Sequence, residues 1–223
     1  MKQNTYLIII IALLVGGISG YFIFASGNDH YGMEGMMSDE SNADGKKSAG
    51  MGGAHMMPDG TMMGNDVSMD NMNGMDHSMM MVSSEREFVT GMIPHHQEAV
   101  DTAKEVLARG GSTAEMRTLA QEIIAAQETE IAMLKDWHLA WYGQAYTADD
   151  SYQPMMRDLS RLSGAALDKQ FLEDMIPHHM GAIMMAESVR PYITNQEITE
   201  MANAIMTTQT AEIELMQGLL KNL

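Results

Sequence analysis

Met92-Ile93-Pro94-His95-His96 and Met175-Ile176-Pro177-His178-His179 are one pentapeptide written twice, 83 positions apart. Each copy lies in an apolar segment with the periodicity of a helix. A second pair of segments repeats too. Leu119, Ile123, Gln127, Glu130 and Leu134 correspond to Met201, Ile205, Gln209, Glu212 and Met216, now 82 positions apart. The change of offset places a one-residue difference in the loop that joins the two members of each pair. The five positions are spaced three or four residues apart, so they form one stripe of a helix.

Local punctuation sets the helix ends. Ser84-x-x-Glu87, Ser112-x-x-Glu115 and Thr194-x-x-Glu197 have the form of capping boxes and predict three helix starts. A fourth helix is expected from about Ser163 to Arg190. Arg109-Gly110-Gly111, Gly143 and Arg190-Pro191 predict stops. Residues 143–162 read as a longer connection with a short helical turn over 155–162. Four helices of about 25 residues, with short loops inside each pair, specify an all-α four-helix bundle. It is made of two repeated helical hairpins, residues 84–142 and 163–222, in a domain covering 83–223.

Two segments precede the bundle. Residues 6–25 are almost wholly apolar and follow Lys2. About 20 such residues span the ~30 Å hydrocarbon core of a bilayer. This predicts a transmembrane anchor within residues 1–27, with its lysine side cytoplasmic and the rest of the chain outside, at the inner (plasma) membrane of a bacterial envelope. The alternative is a cleaved signal peptide, because Ala25-Ser26-Gly27 offers small residues for cleavage. The product would then be periplasmic or secreted. Residues 28–82 are rich in Gly, Asp, Asn, Ser and Met and have almost no aliphatic side chains, so disorder is expected there.

Composition narrows the chemistry. The chain has 27 methionines, no cysteine and a formal charge of −17. Without cysteine there is neither a disulfide framework nor a thiolate metal site. The negative charge argues against nucleic acid as a partner and suits cations. Fourteen of the methionines and three histidines fall in residues 28–82, in clusters such as His55-Met56-Met57 and Met75-Asp76-His77-Ser78-Met79-Met80-Met81. Thioethers need no deprotonation and select soft ions, Cu(I) and Ag(I) foremost. His55, His77, Met79 and Met80 are therefore candidate ligands in this segment.

Inside the bundle the repeated motif is the stronger candidate. An interior proline removes a helix hydrogen bond and costs about 3 kcal/mol. Meeting that cost twice, beside a His-His pair, suggests that the local geometry is used. It should kink each helix near Thr90 and Glu173, unless each helix restarts at its proline. Met92 stands three residues before His95 and four before His96, and Met175 stands likewise to His178 and His179. Di-iron bundles use Glu-x-x-His, whereas both copies here read Met-x-x-His, a softer set that favours copper or silver. Met92, His95, His96, Met175, His178 and His179 are the main candidates, with Met180 and Met184 as further thioethers. Gln127, Glu130, Gln209 and Glu212 interrupt an otherwise apolar stripe and need buried partners. The facing histidines are the obvious ones, which makes Glu130 and Glu212 either further ligands or structural partners. His138 is assigned to the end of its helix. No nucleophile–base pair, phosphate loop or nucleotide motif occurs, so no enzymatic turnover is expected.

The pattern Phe88…Met92-Ile93-Pro94-His95-His96…Ala99…Gln127-x-x-Glu130-Ile131, repeated as Phe171…Met175-Ile176-Pro177-His178-His179-x-Gly181-Ala182-Ile183…Gln209-x-x-Glu212-Ile213, resembles the domain-of-unknown-function 305 (DUF305) family of bacterial envelope proteins. The resemblance covers residues 84–223. It implies a ferritin-like four-helix bundle and kinship with periplasmic copper-binding proteins of the CopM type, whose Met and His residues bind copper. It marks the same six residues of the two motifs as contributors. The first copy departs from the pattern at Glu98, where a small residue such as Gly181 is common. The expectation is thus an extracytoplasmic binder of Cu(I), and also Ag(I) or Cu(II), for copper tolerance or trafficking, with a copper-handling protein as a further partner. Two alternatives stay open: a non-catalytic helical interaction module with structural His–Glu pairs, and a ferritin-like metal oxidase.

Overall fold

The computed structural model describes residues 80–148 and 151–223. The apolar segment at residues 6–25 lies outside them, as do His55, His77 and Met79. Among the described residues no helix is long and apolar enough to cross a membrane.

Four helices account for the fold: α1 (Glu85–Arg109), α2 (Ala114–Tyr142), α3 (Gly164–Val189) and α4 (Gln196–Leu220), with a 3₁₀ turn at Arg190–Tyr192. Helix α1 packs on α2 and α3 on α4, and the two hairpins meet through α1 and α3. Buried positions on α1 recur at helical spacing, from Phe88 and Met92 through Ala99 and Ala103 to Val106. The stripes of α2 and α4 are buried over their whole length, their glutamines and glutamates included. This is the all-α bundle of two hairpins expected from the sequence.

Both helices run unbroken through their prolines, so neither restarts there. Tertiary packing on each side of Pro94 and Pro177 outweighs the local penalty. Two predicted starts move by one residue. Thr113, not Ser112, caps α2 by accepting from the Met116 amide at 3.2 Å. Asn195, not Thr194, stands at the cap of α4. The expected helical turn over 155–162 is absent; those residues are irregular, with a Leu162-to-Leu159 backbone bond at 2.9 Å. Side chains, rather than a helical ladder, hold this connection: Glu98, Asp174 and Arg109 bond its backbone.

The shifted caps have one cause. Glu85, in the first turn of α1, accepts bonds of 2.6–2.8 Å from the backbone and side chains of Thr194 and Asn195. Asp168, 83 positions later on α3, accepts from the Gly111 amide and from the Ser112 amide and hydroxyl at 2.5–2.7 Å. Each hairpin thus clamps the loop of the other with one carboxylate. Gly111 and Ser112 are themselves 83 positions from Thr194 and Asn195. In the first loop, Ser112 serves the clamp and Thr113 caps the helix. In the second, Asn195 holds both places, and its side chain, given to Glu85, makes no cap bond. One residue fewer is needed there, which is why the offset falls from 83 to 82.

Asp168 is fully buried and Glu85 is half-buried. Asp168→Ala is expected to cost about 3 kcal/mol, since it strands buried amide donors, and Glu85→Ala about 1 kcal/mol. Denaturant unfolding of the two variants measures the difference. Burial raises the Glu85 carboxyl, but the Asn195 and Thr194 bonds outweigh it and hold the pKa below its ordinary 4.5. Its contribution is therefore complete above pH 4.5 and fades as the pH falls through the lowered value. Wild type should lose more stability than Glu85→Gln across that acid range.

Candidate metal centre

The two pentapeptides meet where α1 crosses α3. All four histidines are at most 1% exposed. The rings of His95 and His178 lie against each other in a tilted arrangement, with centroids 3.8 Å apart and planes inclined by 38°. His96 and His179 point outward from this pair to the stripes of α2 and α4. His96 Nε2 is 2.8 Å from Glu130 Oε2, and His179 Nε2 is 2.7 Å from Glu212 Oε2. The His179 contact is a formed hydrogen bond, whereas the His96 contact is close but poorly aligned. The structure thus pairs the buried glutamates with the histidines, as the stripe required. Each histidine sits about 100° round its helix from its neighbour, so one member of each pair faces the other hairpin and one faces its own.

The inner pair is treated differently. Neither ring nitrogen of His95 makes a hydrogen bond. Burial pushes His95 well below its ordinary pKa, and the imidazoles of His178, His96 and His179 push the same way. Burial also lowers His178, against the pull of Glu98, whose Oε2 stands 3.3 Å from His178 Nε2 in a poorly aligned contact. Both rings are therefore neutral at neutral pH, which leaves lone pairs for a Lewis acid. Glu98 is fastened from the connection, accepting from the Tyr152 hydroxyl at 2.5 Å and from the Met155 and Met156 amides at 3.1 and 3.0 Å. Burial pushes its carboxyl up, but contacts from His178, Tyr152 and the Met156 amide win and hold it at about 2. Burial, and then Glu98, raise the Tyr152 phenol.

Thioethers surround the inner pair. Met92 and Met175 are fully buried in the core. Met80, the last residue but one of the Met75–Met81 cluster, is 9% exposed, because the Val82 amide bonds Ser188 Oγ at 3.0 Å and draws that segment onto α3. Met80 Sδ and His95 Nε2 each lie 3.2 Å from the point a Cβ on Gly181 would occupy, as does the Met155 methyl. A cavity of about 500 Å³ reaches His95 past Met80 and Met185, with exposed Gln144 and Gln153 on its walls. Thr90 and Pro94 also line it, so the turn weakened by the proline forms part of its wall. Met180 and Met184 are half-buried on α3. His138 stays out of the group of four and bonds the Gln144 carbonyl at 2.9 Å through Nδ1, bracing the end of α2. Met155, Met185 and Glu98 belong to this centre although the motif spacing did not pick them out as ligands. Among the described residues, no three His, Asp or Glu side chains converge as a metal cage. The side chains gathered about His95 are imidazoles and thioethers.

The chain belongs to the DUF305 family, "Domain of unknown function (DUF305)", whose model matches residues 25–138 and again 85–220. Among solved structures it is similar to CopM in the Cu(I)-bound form, at 31% identity and a TM-score of 0.57 over 63% of this chain and 98% of that one. It is similar to CopM co-crystallised with Ag at 30% identity and a TM-score of 0.56, with the same coverage. A DUF305 fragment from Deinococcus radiodurans is 30% identical, with a TM-score of 0.55 over 64% of this chain and 99% of that one. No curated protein matches the chain.

The outer pairs should behave as structural contacts. Glu130→Ala and Glu212→Ala leave a buried imidazole without its partner and should each cost about 3 kcal/mol, while the glutamine variants should cost less than half of that. Unfolding of the metal-free variants reads the order, and equal losses for Ala and Gln would remove the hydrogen-bonding account.

Proposed function

We propose that this chain is an extracytoplasmic metal-binding protein that holds Cu(I) through methionine and histidine, in copper tolerance or trafficking, and catalyses no reaction. The observation that carries this reading is the His95–His178 pair, two buried neutral imidazoles in close, tilted contact. An unpartnered buried imidazole such as His95 is a poor choice for packing alone, because its nitrogens are desolvated without return. It is a good choice for a ligand. The thioethers beside it make the site soft, which favours Cu(I) and Ag(I) over hard ions. CopM, about 30% identical, has been solved with Cu(I), Cu(II) and Ag bound, which supports copper first and silver second.

The second reading, structural His–Glu pairs in an interaction module, is favoured by one observation at two places: the short contacts of His96 with Glu130 and of His179 with Glu212. We assign those pairs to packing and orientation, and the inner pair to the ion. The oxidase reading lacks support, since it needs carboxylates bridging two metals. Residues 1–27 would tether the bundle to the outer face of the inner membrane, residues 28–82 would gather ions, and the bundle would hold them for a copper-handling partner.

Cu(I) titration of the full chain against a competing chelator tests the assignment. His95→Ala/His178→Ala should retain fewer ions per chain than wild type, and His96→Gln/His179→Gln should retain the same number. Equal retention by wild type and His95→Ala/His178→Ala would sink the reading.

A further inference from the structure

The two halves of the duplicated centre are not equivalent. The residue three positions after the first histidine of each motif is Glu98 in one copy and Gly181 in the other. Each stands against the opposite hairpin's histidine: Glu98 against His178, and Gly181 against His95. At His178 the space is filled by a carboxylate fixed by a phenol and two amides. At His95 there is no side chain. Met80 Sδ, His95 Nε2 and the Met155 methyl instead converge on the vacant Cβ position, each at 3.2 Å.

We propose that the bundle has a single soft-ion site, formed by the Met80 and Met155 thioethers and the His95 imidazole around Gly181, and that Glu98 closes the equivalent place at His178. This rests on the metal-binding reading above and assigns that function to one half of the bundle.

The donors themselves are asymmetric. The position equivalent to Met80, 83 residues on, is Ser163, and the position equivalent to Met185 is Thr102. Met155 belongs to the connection between the hairpins, which occurs once, so it has no counterpart. On the other side Thr102 donates to Met156 Sδ at 3.2 Å beside the Glu98 carboxylate, whereas the place beside His95 has Met80, Met155 and Met185 and no carboxylate among them. The set is uncharged and flexible at its sulfur ends, so small rotations can draw both sulfurs toward an ion that the ring nitrogen approaches from α1. It suits a monovalent soft cation.

The route in is also one-sided. The cavity reaches His95 between Met80 and Met185, and Met185 Sδ lies 3.7 Å from the position a Cβ on Gly91 would take. Small residues at both 91 and 181 keep this passage open. Met80 lies near the end of the methionine-rich segment, so the donor that completes the site is also where that segment meets the bundle. An ion handed along the segment meets the bundle at this residue.

Four proteins test the inference: full-length wild type, Met80→Leu, Gly181→Ala and Glu98→Gln. Each is titrated with Cu(I) against a competing chelator, after circular dichroism confirms that the metal-free helix content is unchanged. The leucine is close to isosteric, and the alanine methyl meets two methionine ends that can shift and the edge of the His95 ring, with no backbone among them, so both variants should fold. Contributions from residues 28–79 are common to all four and cancel. Met80→Leu and Gly181→Ala should each weaken the bundle's ion at least tenfold, and Glu98→Gln should bind the same number of ions as wild type. Wild-type binding by both Met80→Leu and Gly181→Ala would overturn the site. Loss of an ion in Glu98→Gln would overturn the asymmetry, because the carboxylate would then be a ligand. If His95→Ala/His178→Ala loses an ion while Met80→Leu and Gly181→Ala do not, metal binding stands and only this placement fails.

Discussion

Four imidazoles, each at most 1% exposed, must be accommodated where α1 and α3 cross. Everything around that crossing answers this constraint. Two rings turn to their own hairpins, where α2 and α4 each place a glutamate on an otherwise apolar stripe. The other two face each other, and only one of them has a carboxylate neighbour. Satisfying all four would have been straightforward with two more acceptors. The one left without, His95, faces a glycine, two methionines and a cavity. Nitrogens of His96, His178 and His179 also lack a well-aligned partner, but among the described residues His95 is the one of the four with no carboxylate beside it, which sets it apart from the other three.

The hairpins are aligned at the other end of the bundle by the reciprocal carboxylates Glu85 and Asp168. Each first-turn or near-first-turn carboxylate reaches past its own hairpin and takes the free amides of its neighbour's loop, satisfying donors that a helix start otherwise leaves to water. Because the clamp joins α1 to the loop before α4, and α3 to the loop before α2, it fixes the register of α1 against α3. That register decides which residues stand opposite His95 and His178. The geometry of the site is in this sense set by contacts at the far ends of the helices that bear it.

Much of this was legible from residues alone. The duplicated motif and the stripe at helical spacing predicted four helices in two hairpins and put Glu130 and Glu212 opposite histidines. The offset change from 83 to 82 was visible, but its reason was not. It lies in Asn195 combining two duties that Ser112 and Thr113 divide, and only the paired loops show that. The signal was present all the same: Glu85 and Asp168 share the repeat spacing, as do the loop residues they hold. Residues 143–162 were harder to read. They have no periodicity, and Tyr152, Met155 and Met156 gain their role from bonds to Glu98 across more than fifty positions. No local pattern encodes such contacts. Met-x-x-His spacing pointed to Met92 and Met175, which the structure buries fully in the core, while Met80 and Met155 reach the vacant position at Gly181 from outside the helical pattern.

Duplication supplies a symmetric frame, and a symmetric frame offers two equivalent positions at its centre. Two identical soft sites separated by one stacked imidazole pair would place two cations close together in a low-dielectric interior, where their repulsion is weakly screened. Converting one position to a carboxylate removes that conflict. Glu98 occupies the second place with the charge opposite to that of a cation, and contacts from His178, Tyr152 and the Met156 amide keep it ionised. The neighbouring half is then free to stay neutral, open and lined with sulfur. On the reading proposed above, the divergence at Glu98 and Gly181 follows from the same physics as the duplication: one crossing of two helices takes four imidazoles and a single ion.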